Sequence, residues 1–308
     1  MTSRLFDKDL ISIKDLTKKD IEAVLTESAK MLKHVENGKK LDYLQNEIMA
    51  TLFYEPSTRT RLSFESAMQR LGGGVIGFSD PAVSSSMKGE TLMDTIKVVS
   101  SYADIIVLRH MQEGAAAKAL EFSAVPIINA GDGIGQHPTQ ALLDLFTIKQ
   151  EKGSLKNLNI AIVGDLKNGR TVHSLAYALA LFNSSISFIA PDDIQIPDTI
   201  LKDLRKTHWN IEKSSDLDKA LDADVIYMTR IQKERFARQE DYIKFANYYK
   251  VDNKFLQKAD EDVIVMHPLP RITEISPEID NSRNSVYFKQ AAYGVPVRMA
   301  ILNMILKG

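Results

Sequence analysis

Short, almost wholly apolar runs alternate along this chain with amphipathic stretches, and no other feature constrains the fold as tightly. Residues 48–54 are apolar at nearly every position, as suits a parallel strand covered on both faces. Runs 104–108, 124–129, 159–163, 186–189, 224–228 and 262–266 read as further strands, and 75–78 as a shorter one. Between them lie helical periods. Leu62, Ala67, Met68 and Leu71 share one face over 62–71, and Gly72-Gly73-Gly74 ends that stretch. Spans 91–102, 137–151 and 169–182 predict further helices, and Thr17-Lys18-Lys19-Asp20 opens an earlier one as a capping box. A last helix over 295–306 places Val297, Ile301, Met304 and Ile305 together. Strands alternating with helices in both halves predict an α/β fold of two doubly wound domains, each a mainly parallel sheet flanked by helices.

At 308 residues the chain can bury a substantial core, and its 44% hydrophobic and 26% charged residues are those of an ordinary globular protein. Its 39 basic and 40 acidic residues leave a net charge of −1, so no global field points to nucleic acid or an anionic membrane. Any anion recognition has to be local. Cysteine is absent, which excludes disulfides, thiolate metal ligands and a cysteine nucleophile. Residues 1–10 contain Arg4, Asp7, Lys8 and Asp9 and no apolar core of a signal peptide. Apolar runs stay well short of the roughly 18 residues of a membrane span. A soluble cytoplasmic protein is the expectation.

Ligands of open α/β sheets bind beyond the carboxyl ends of the strands, and there this chain places its polar groups. The first run hands over to Glu55-Pro56-Ser57-Thr58-Arg59-Thr60-Arg61. Hydroxyls and guanidiniums at a helix start form a phosphate cradle with the free N–H groups and the macrodipole. Other strand ends deliver Arg109-His110, Thr229-Arg230-Ile231-Gln232, His267-Pro268-Leu269-Pro270-Arg271, and the turn from Gly164 to Arg170-Thr171. So many arginines predict a ligand, or a pair of ligands, with several negative charges.

The 164–171 turn nearly matches the phosphate-loop spacing, but Arg170 replaces the lysine and no acidic strand is placed for magnesium, so nucleotide binding is a weak reading. Arg170 at a helix start also suits a carboxylate. Six histidines occur without an H-E-x-x-H pattern, and no zinc site is predicted. His34 and His208 read as surface residues and His173 as packed within a helix. His137 differs, because Pro138 suits a first helical turn and sets His137 and Gln140 on one face. A histidine there serves as a neutral donor to a carbonyl. The charged stretch 231–250 reads as a solvated loop.

At these residues the sequence resembles the catalytic chains of the aspartate carbamoyltransferase family, within the aspartate/ornithine carbamoyltransferase superfamily. The resemblance covers essentially the whole chain, with Ser57-Thr58-Arg59-Thr60-Arg61, Lys88-Gly89-Glu90, His137-Pro138-Thr139-Gln140, Gly169-Arg170-Thr171, Arg230-Ile231-Gln232 and His267-Pro268-Leu269-Pro270 in order. The last motif discriminates from ornithine enzymes, which typically carry a cysteine after that histidine, and their Ser-Met-Gly segment is missing too.

The resemblance implies a carbamoyl-phosphate-binding domain over 1–136 plus 290–308 and an aspartate-binding domain over 137–289. Residues 137–151 would be the linking helix, and the C-terminal helix would return to the first domain. It implies transfer of the carbamoyl group of carbamoyl phosphate to L-aspartate, an early step of de novo pyrimidine biosynthesis, without metal or cofactor. Ser57, Thr58, Arg59, Thr60 and Arg109 would hold the phosphate. Thr60, Arg109 and His137 would hold the carbonyl oxygen, and Gln140 with Leu269 and Pro270 the amide end. Arg170, Arg230 and Gln232 would take the aspartate carboxylates. Lys88 and a loop serine, Ser85 or Ser84, would reach a neighbouring subunit's site in a homotrimer, with regulatory chains in a larger assembly as a further partner. Asn168 stands where some relatives carry an aromatic residue. Rival expectations are a carbamoyltransferase for another amino acid such as ornithine, and a non-catalytic phosphometabolite-binding subunit.

Overall fold

A computed structural model describes residues 5, 8–80, 88–207, 210–236, 238–245 and 247–308. The chain divides into two compact units, Met1–Phe146 with Tyr293–Gly308, and Thr147–Ala292. The division falls inside the linking helix rather than at 136/137, so the start of that helix belongs with the first unit.

In the first unit, α1 (Lys18–Glu36) starts from the capping box read in the sequence: Thr17 accepts from the Asp20 N–H, and the Asp20 carboxylate accepts from the Thr17 N–H. Such a cap contributes about 1 kcal/mol. There follow β1 (Ile48–Phe53), α2 (Thr58–Arg70), β2 (Gly74–Phe78), α3 (Leu92–Val99), β3 (Ile105–His110), α4 (Ala115–Leu120), β4 (Ile127–Asp132) and α5 (Pro138–Lys152). The four strands are parallel, in the order β2-β1-β3-β4. Ala50, Leu52, Ile106, Leu108 and Ile127 pack on one side with Ile96 of α3 and Ala116 and Ala119 of α4. Small alanines let α4 lie close to the sheet. The register pairs Phe53 with Arg109, which sets the end of β3 beside the end of β1.

The second unit continues with β5 (Asn159–Val163), α6 (Arg170–Leu179), β6 (Ser185–Ile189), α7 (Asp198–Leu204), β7 (Ile211–Ser214), β8 (Val225–Met228), α8 (Gln239–Ile243), α9 (Asn253–Leu256) and β9 (Ile264–Met266). Its sheet is also parallel, in the order β7-β6-β5-β8-β9. The chain passes from the second unit back to the first within α10 (Tyr287–Leu306). Strand order reverses between β1 and β3 in one sheet and between β5 and β8 in the other. Crevices at such reversals are where doubly wound folds bind ligands.

Several elements differ from the sequence reading. Strand β4 begins and ends later, because its outer edge is paired by the N-terminal segment: the Leu10 N–H donates to the Ile127 carbonyl and the Asn129 N–H to the Leu10 carbonyl. Strand β7 is a polar edge strand, Ile-Glu-Lys-Ser, which apolar periodicity does not report. The charged stretch 231–250 is not loop throughout, since α8 forms within it. Helix α10 starts at Tyr287 and carries Pro296 inside it, rather than in its first turn. No helix among the described residues is long and apolar enough to cross a membrane.

Candidate active site

In the first unit, the chain leaves β1 at Glu55-Pro56 and enters α2 through Ser57. Ser57 is extended (φ −158°, ψ 96°) and its hydroxyl makes no capping bond. The helix therefore begins earlier than its apolar face suggests, and Thr58, Arg59 and Thr60 form its first turn. Thr58 and Arg59 are exposed and Thr60 is buried. Arg61 is turned along the helix instead, with Nε on Glu65 Oε1 at 2.6 Å. It belongs to the motif but not to the cradle.

Arg109, at the end of β3, is 8% exposed and held on two sides. Its Nη2 donates to Glu55 Oε1 at 2.5 Å and its Nη1 to the Ala130 carbonyl at 3.1 Å. A guanidinium fixed from two neighbouring strand ends keeps its plane without losing its charge. Next to it, His110 accepts from the Gln112 N–H at Nδ1 (3.0 Å) and packs on Tyr54. Burial pushes its pKa down, against the pull of Glu55 and Asp132.

His137 is delivered by a loop wound around Asp132. Oδ1 of Asp132 accepts from the Gln136 N–H (2.9 Å) and the Asn129 amide (3.1 Å), and Oδ2 from the Gly114 N–H (2.8 Å). Gly133, at φ 51°, donates its N–H to the His110 carbonyl. A Cβ there would lie 2.7 Å from the Glu113 nitrogen, so the close approach needs glycine. This clasp leaves His137 buried at the mouth of α5, and Gln140 one turn on donates from Nε2 to Asp144 Oδ1 at 2.9 Å. Lys88 is exposed. Ser84, Ser85 and His208 lie outside the described residues.

In the second unit, Asp165 does for β5 and β8 what Asp132 does for β3 and β4. Fully buried, it accepts at Oδ1 from the Asn168 N–H (3.0 Å) and side-chain amide (3.1 Å), and at Oδ2 from the Gln232 N–H (3.3 Å). Burial pushes its pKa up, opposed by these bonds and by His173. His173 lies buried in α6, as the sequence suggests, and its Nε2–H donates to the Leu166 carbonyl at 2.9 Å. Gly164 sits at φ 123°, where a Cβ would fall 2.2 Å from the Thr229 carbonyl oxygen. The near-match to a phosphate loop is thus a strand-to-helix turn. The Asn168 N–H that a nucleotide phosphate would need is already bound to Asp165, which argues against that alternative. Asn168 itself clamps the turn.

Arg170 opens α6, half-buried, behind an N-cap glycine. Arg230 faces Glu234 as a fork, with Nη1 on Oε2 at 3.0 Å and Nη2 on Oε1. These bonds hold the guanidinium charged above its usual range, against burial. After β9, His267 is fully buried. The Leu269 N–H donates to its Nδ1 at 2.7 Å, so the ring proton sits on Nε2 and points to Glu274 Oε1 at 2.8 Å. Glu274 also accepts from the N–H groups of Ile272 and Thr273. Leu269, at φ 55°, and a cis bond to Pro270 complete this loop.

Arg271 departs from the strand-end reading. It is clasped by Asp280, with Nη2 on Oδ2 at 2.6 Å, and by the Tyr287 hydroxyl at 3.0 Å, over the rings of Tyr287 and Phe288. It braces the loop and is not part of a ligand cradle.

Residues 8–150 match the family model described as aspartate/ornithine carbamoyltransferase, carbamoyl-P binding domain, and residues 156–305 that described as the Asp/Orn binding domain. The chain belongs to the aspartate/ornithine carbamoyltransferase family. It is 52% identical over 300 residues to the aspartate carbamoyltransferase catalytic subunit of Methanothermobacter thermautotrophicus, covering 97% of this chain and 96% of that protein. Among solved structures, the aspartate transcarbamoylase of Trypanosoma cruzi in complex with carbamoyl aspartate and phosphate superposes with a TM-score of 0.95. Identity is 41%, with 99% of this chain and 98% of that one covered. The catalytic subunit of the M. jannaschii enzyme gives 0.88 at 52% identity, covering 96% and 97%.

Within this family fold, the site's supports escaped sequence reading. Asp132 and Asp165 each directly follow a strand-end glycine, a pattern that could have flagged them. Asp144 and Glu274 follow no such strand-end glycine.

Proposed function

We infer that this chain transfers the carbamoyl group of carbamoyl phosphate to the amine of L-aspartate, giving N-carbamoyl-L-aspartate and phosphate. The observation that carries this reading is that each unit presents braced arginines at its strand-order reversal, one set suited to a phosphate and the other to a dicarboxylate. The relatives' catalytic names, and a relative's complex with both products, support it.

Carbamoyl phosphate is held in the first unit by Ser57, Thr58, Arg59, Thr60, Arg109 and the first-turn N–H groups of α2. Thr60, Arg109 and His137 donate to the carbonyl oxygen. The carbamoyl NH2, a pure donor, needs acceptors, which Gln140 Oε1 and the carbonyls of Leu269 and Pro270 supply. L-aspartate engages Arg170, Arg230 and Gln232 through its carboxylates. Its neutral amine attacks the carbamoyl carbon, the carbonyl electrons move onto oxygen, and the bond to the phosphate oxygen then breaks as the carbonyl reforms. The amine proton leaves with the phosphate. This chemistry needs no metal, cofactor or covalent nucleophile, because positioning and aligned donors lower the barrier.

Lys88 enters the site of an adjacent copy, making a homotrimer with shared sites the active form. Regulatory chains joining such trimers, a cytoplasmic location and a place in pyrimidine biosynthesis extend the same reading. Ornithine is disfavoured as acceptor, since Arg170 and Arg230 would repel its cationic side chain. Phosphate release with L-aspartate and with L-ornithine tests the assignment: release should require aspartate. Equal release with ornithine would overturn it.

A further inference from the structure

Beneath the first turns of α5 lies a buried ionic cluster that the proposed chemistry has not used. Arg298 of α10 is 2% exposed. Its Nη1 donates to the Gly294 carbonyl at 3.2 Å and its Nη2 to Thr139 Oγ1 at 3.4 Å, and its guanidinium lies 4.9 Å from the centre of the Phe64 ring in α2. Its Nε is buried with no hydrogen-bond partner among the described residues. Asp144, fully buried in α5, is the carboxylate whose field acts on it. Burial pushes Arg298 down to about 9, with Asp144 opposing, so the guanidinium stays charged at neutral pH. Gly294 makes the room, since a Cβ there would fall 2.5 Å from Arg298 Nη1.

Two buried charges are a poor way to gain stability, since well-packed apolar side chains of the same volume do as well or better. What this pair does is chemical. Asp144 Oδ1 accepts from Gln140 Nε2. An ionised carboxylate can only accept, so it fixes which end of the Gln140 amide faces it. The other end, the carbonyl oxygen, is the acceptor that a carbamoyl NH2 requires. With the amide reversed, two donors would face each other at the substrate.

We propose that Asp144 is a positioning residue that locks the Gln140 amide with its oxygen toward the substrate's NH2 group. This rests on the reading of Gln140 as the acceptor for carbamoyl phosphate. Arg298 acts one step further back, and its contacts to Thr139 and Phe64 tie the first turn of α5 to α2, the helix that carries the phosphate cradle.

The test is a double-mutant cycle on the full chain, read as kcat/KM for carbamoyl phosphate at saturating aspartate. Asp144→Asn, nearly isosteric, should lower it about tenfold in the wild-type background, the size of coupling seen within one hydrogen-bond network. In a Gln140→Ala background the same substitution should change it less than about threefold. An equal factor in both backgrounds would overturn the proposal, because a purely structural role does not depend on Gln140. Arg298→Met and Arg298→Lys repeat the cycle should Asp144→Asn not fold, with Lys expected to recover most of what Met loses; Lys no better than Met would contradict the role of the charge. Wild-type protein inactive with both substrates would instead sink the underlying functional reading.

Discussion

The Leu269 N–H donates to Nδ1 of His267 at 2.7 Å, and this one bond decides the tautomer of a buried ring and hence the partner of its other nitrogen. The Nε2–H is left to Glu274, and the two residues fix the loop that ends β9. Burial pushes Glu274 up, but the bond from His267 and the backbone N–H groups outweigh it, leaving the carboxyl below its ordinary value of 4.5. A depressed folded-state pKa contributes stability that is complete above the ordinary value and is lost as pH falls through the folded one. Urea unfolding should therefore show stability falling on acidification below about pH 4.5. That component should be missing in Glu274→Gln, which also costs about 1–3 kcal/mol at neutral pH. An unchanged pH profile in the variant would contradict the assignment.

His137→Ala should lower kcat by roughly 10²–10³-fold, about 2.7–4 kcal/mol of transition-state stabilisation, as for removal of an oxyanion donor. Steady-state kinetics check it, and a variant with wild-type kcat would remove His137 from the mechanism.

Arg230→Ala should raise KM for aspartate far more than that for carbamoyl phosphate, since its fork with Glu234 presents it in the second unit. Comparable losses for both substrates would show that it does not read aspartate. Glu234→Gln should produce a milder loss of the same kind.

Gly164 and Gly153 both sit at positive φ, but only Gly164 faces a backbone wall. A Cβ on Gly164 would stand 2.2 Å from the Thr229 carbonyl oxygen, whereas one on Gly153 would meet open space. Gly153→Ala should cost about 1–2 kcal/mol in urea unfolding, from backbone conformation alone. Gly164→Ala should cost roughly 3 kcal/mol or more, strain and clash together. Equal losses would contradict the close approach of β5 and β8.

The strand sequence and its polar ends were legible because parallel strands covered on both faces are continuously apolar and doubly wound sheets gather their polar groups beyond the strand ends. What was not legible depended on partners distant in sequence or on how a side chain turns. Arg61 and Arg271 look like site arginines until Glu65 and Asp280 are seen to hold them. Conversely, Arg298 looks like one cation in an apolar helix, and only the fold brings it to Asp144 and Thr139. Strand β7 lacks apolar periodicity because it is an edge, with Glu212 and Lys213 exposed.

Hybrid assembly tests the sharing of sites. Arg59→Ala and Lys88→Ala chains, each inactive alone, should regain activity when mixed and reassembled, since one kind of site in the hybrid then carries both wild-type residues. Verified hybrids without recovery would make each chain's site self-contained.

The most direct test of the proposed reaction is to follow ¹³C-labelled carbamoyl phosphate by NMR in the presence of the purified chain and an equimolar mixture of L-aspartate and L-ornithine. The label should appear in N-carbamoyl-L-aspartate, with one phosphate released for each carbamoyl group transferred. Label accumulating in citrulline, or phosphate released without any carbamoylated amino acid, would contradict it.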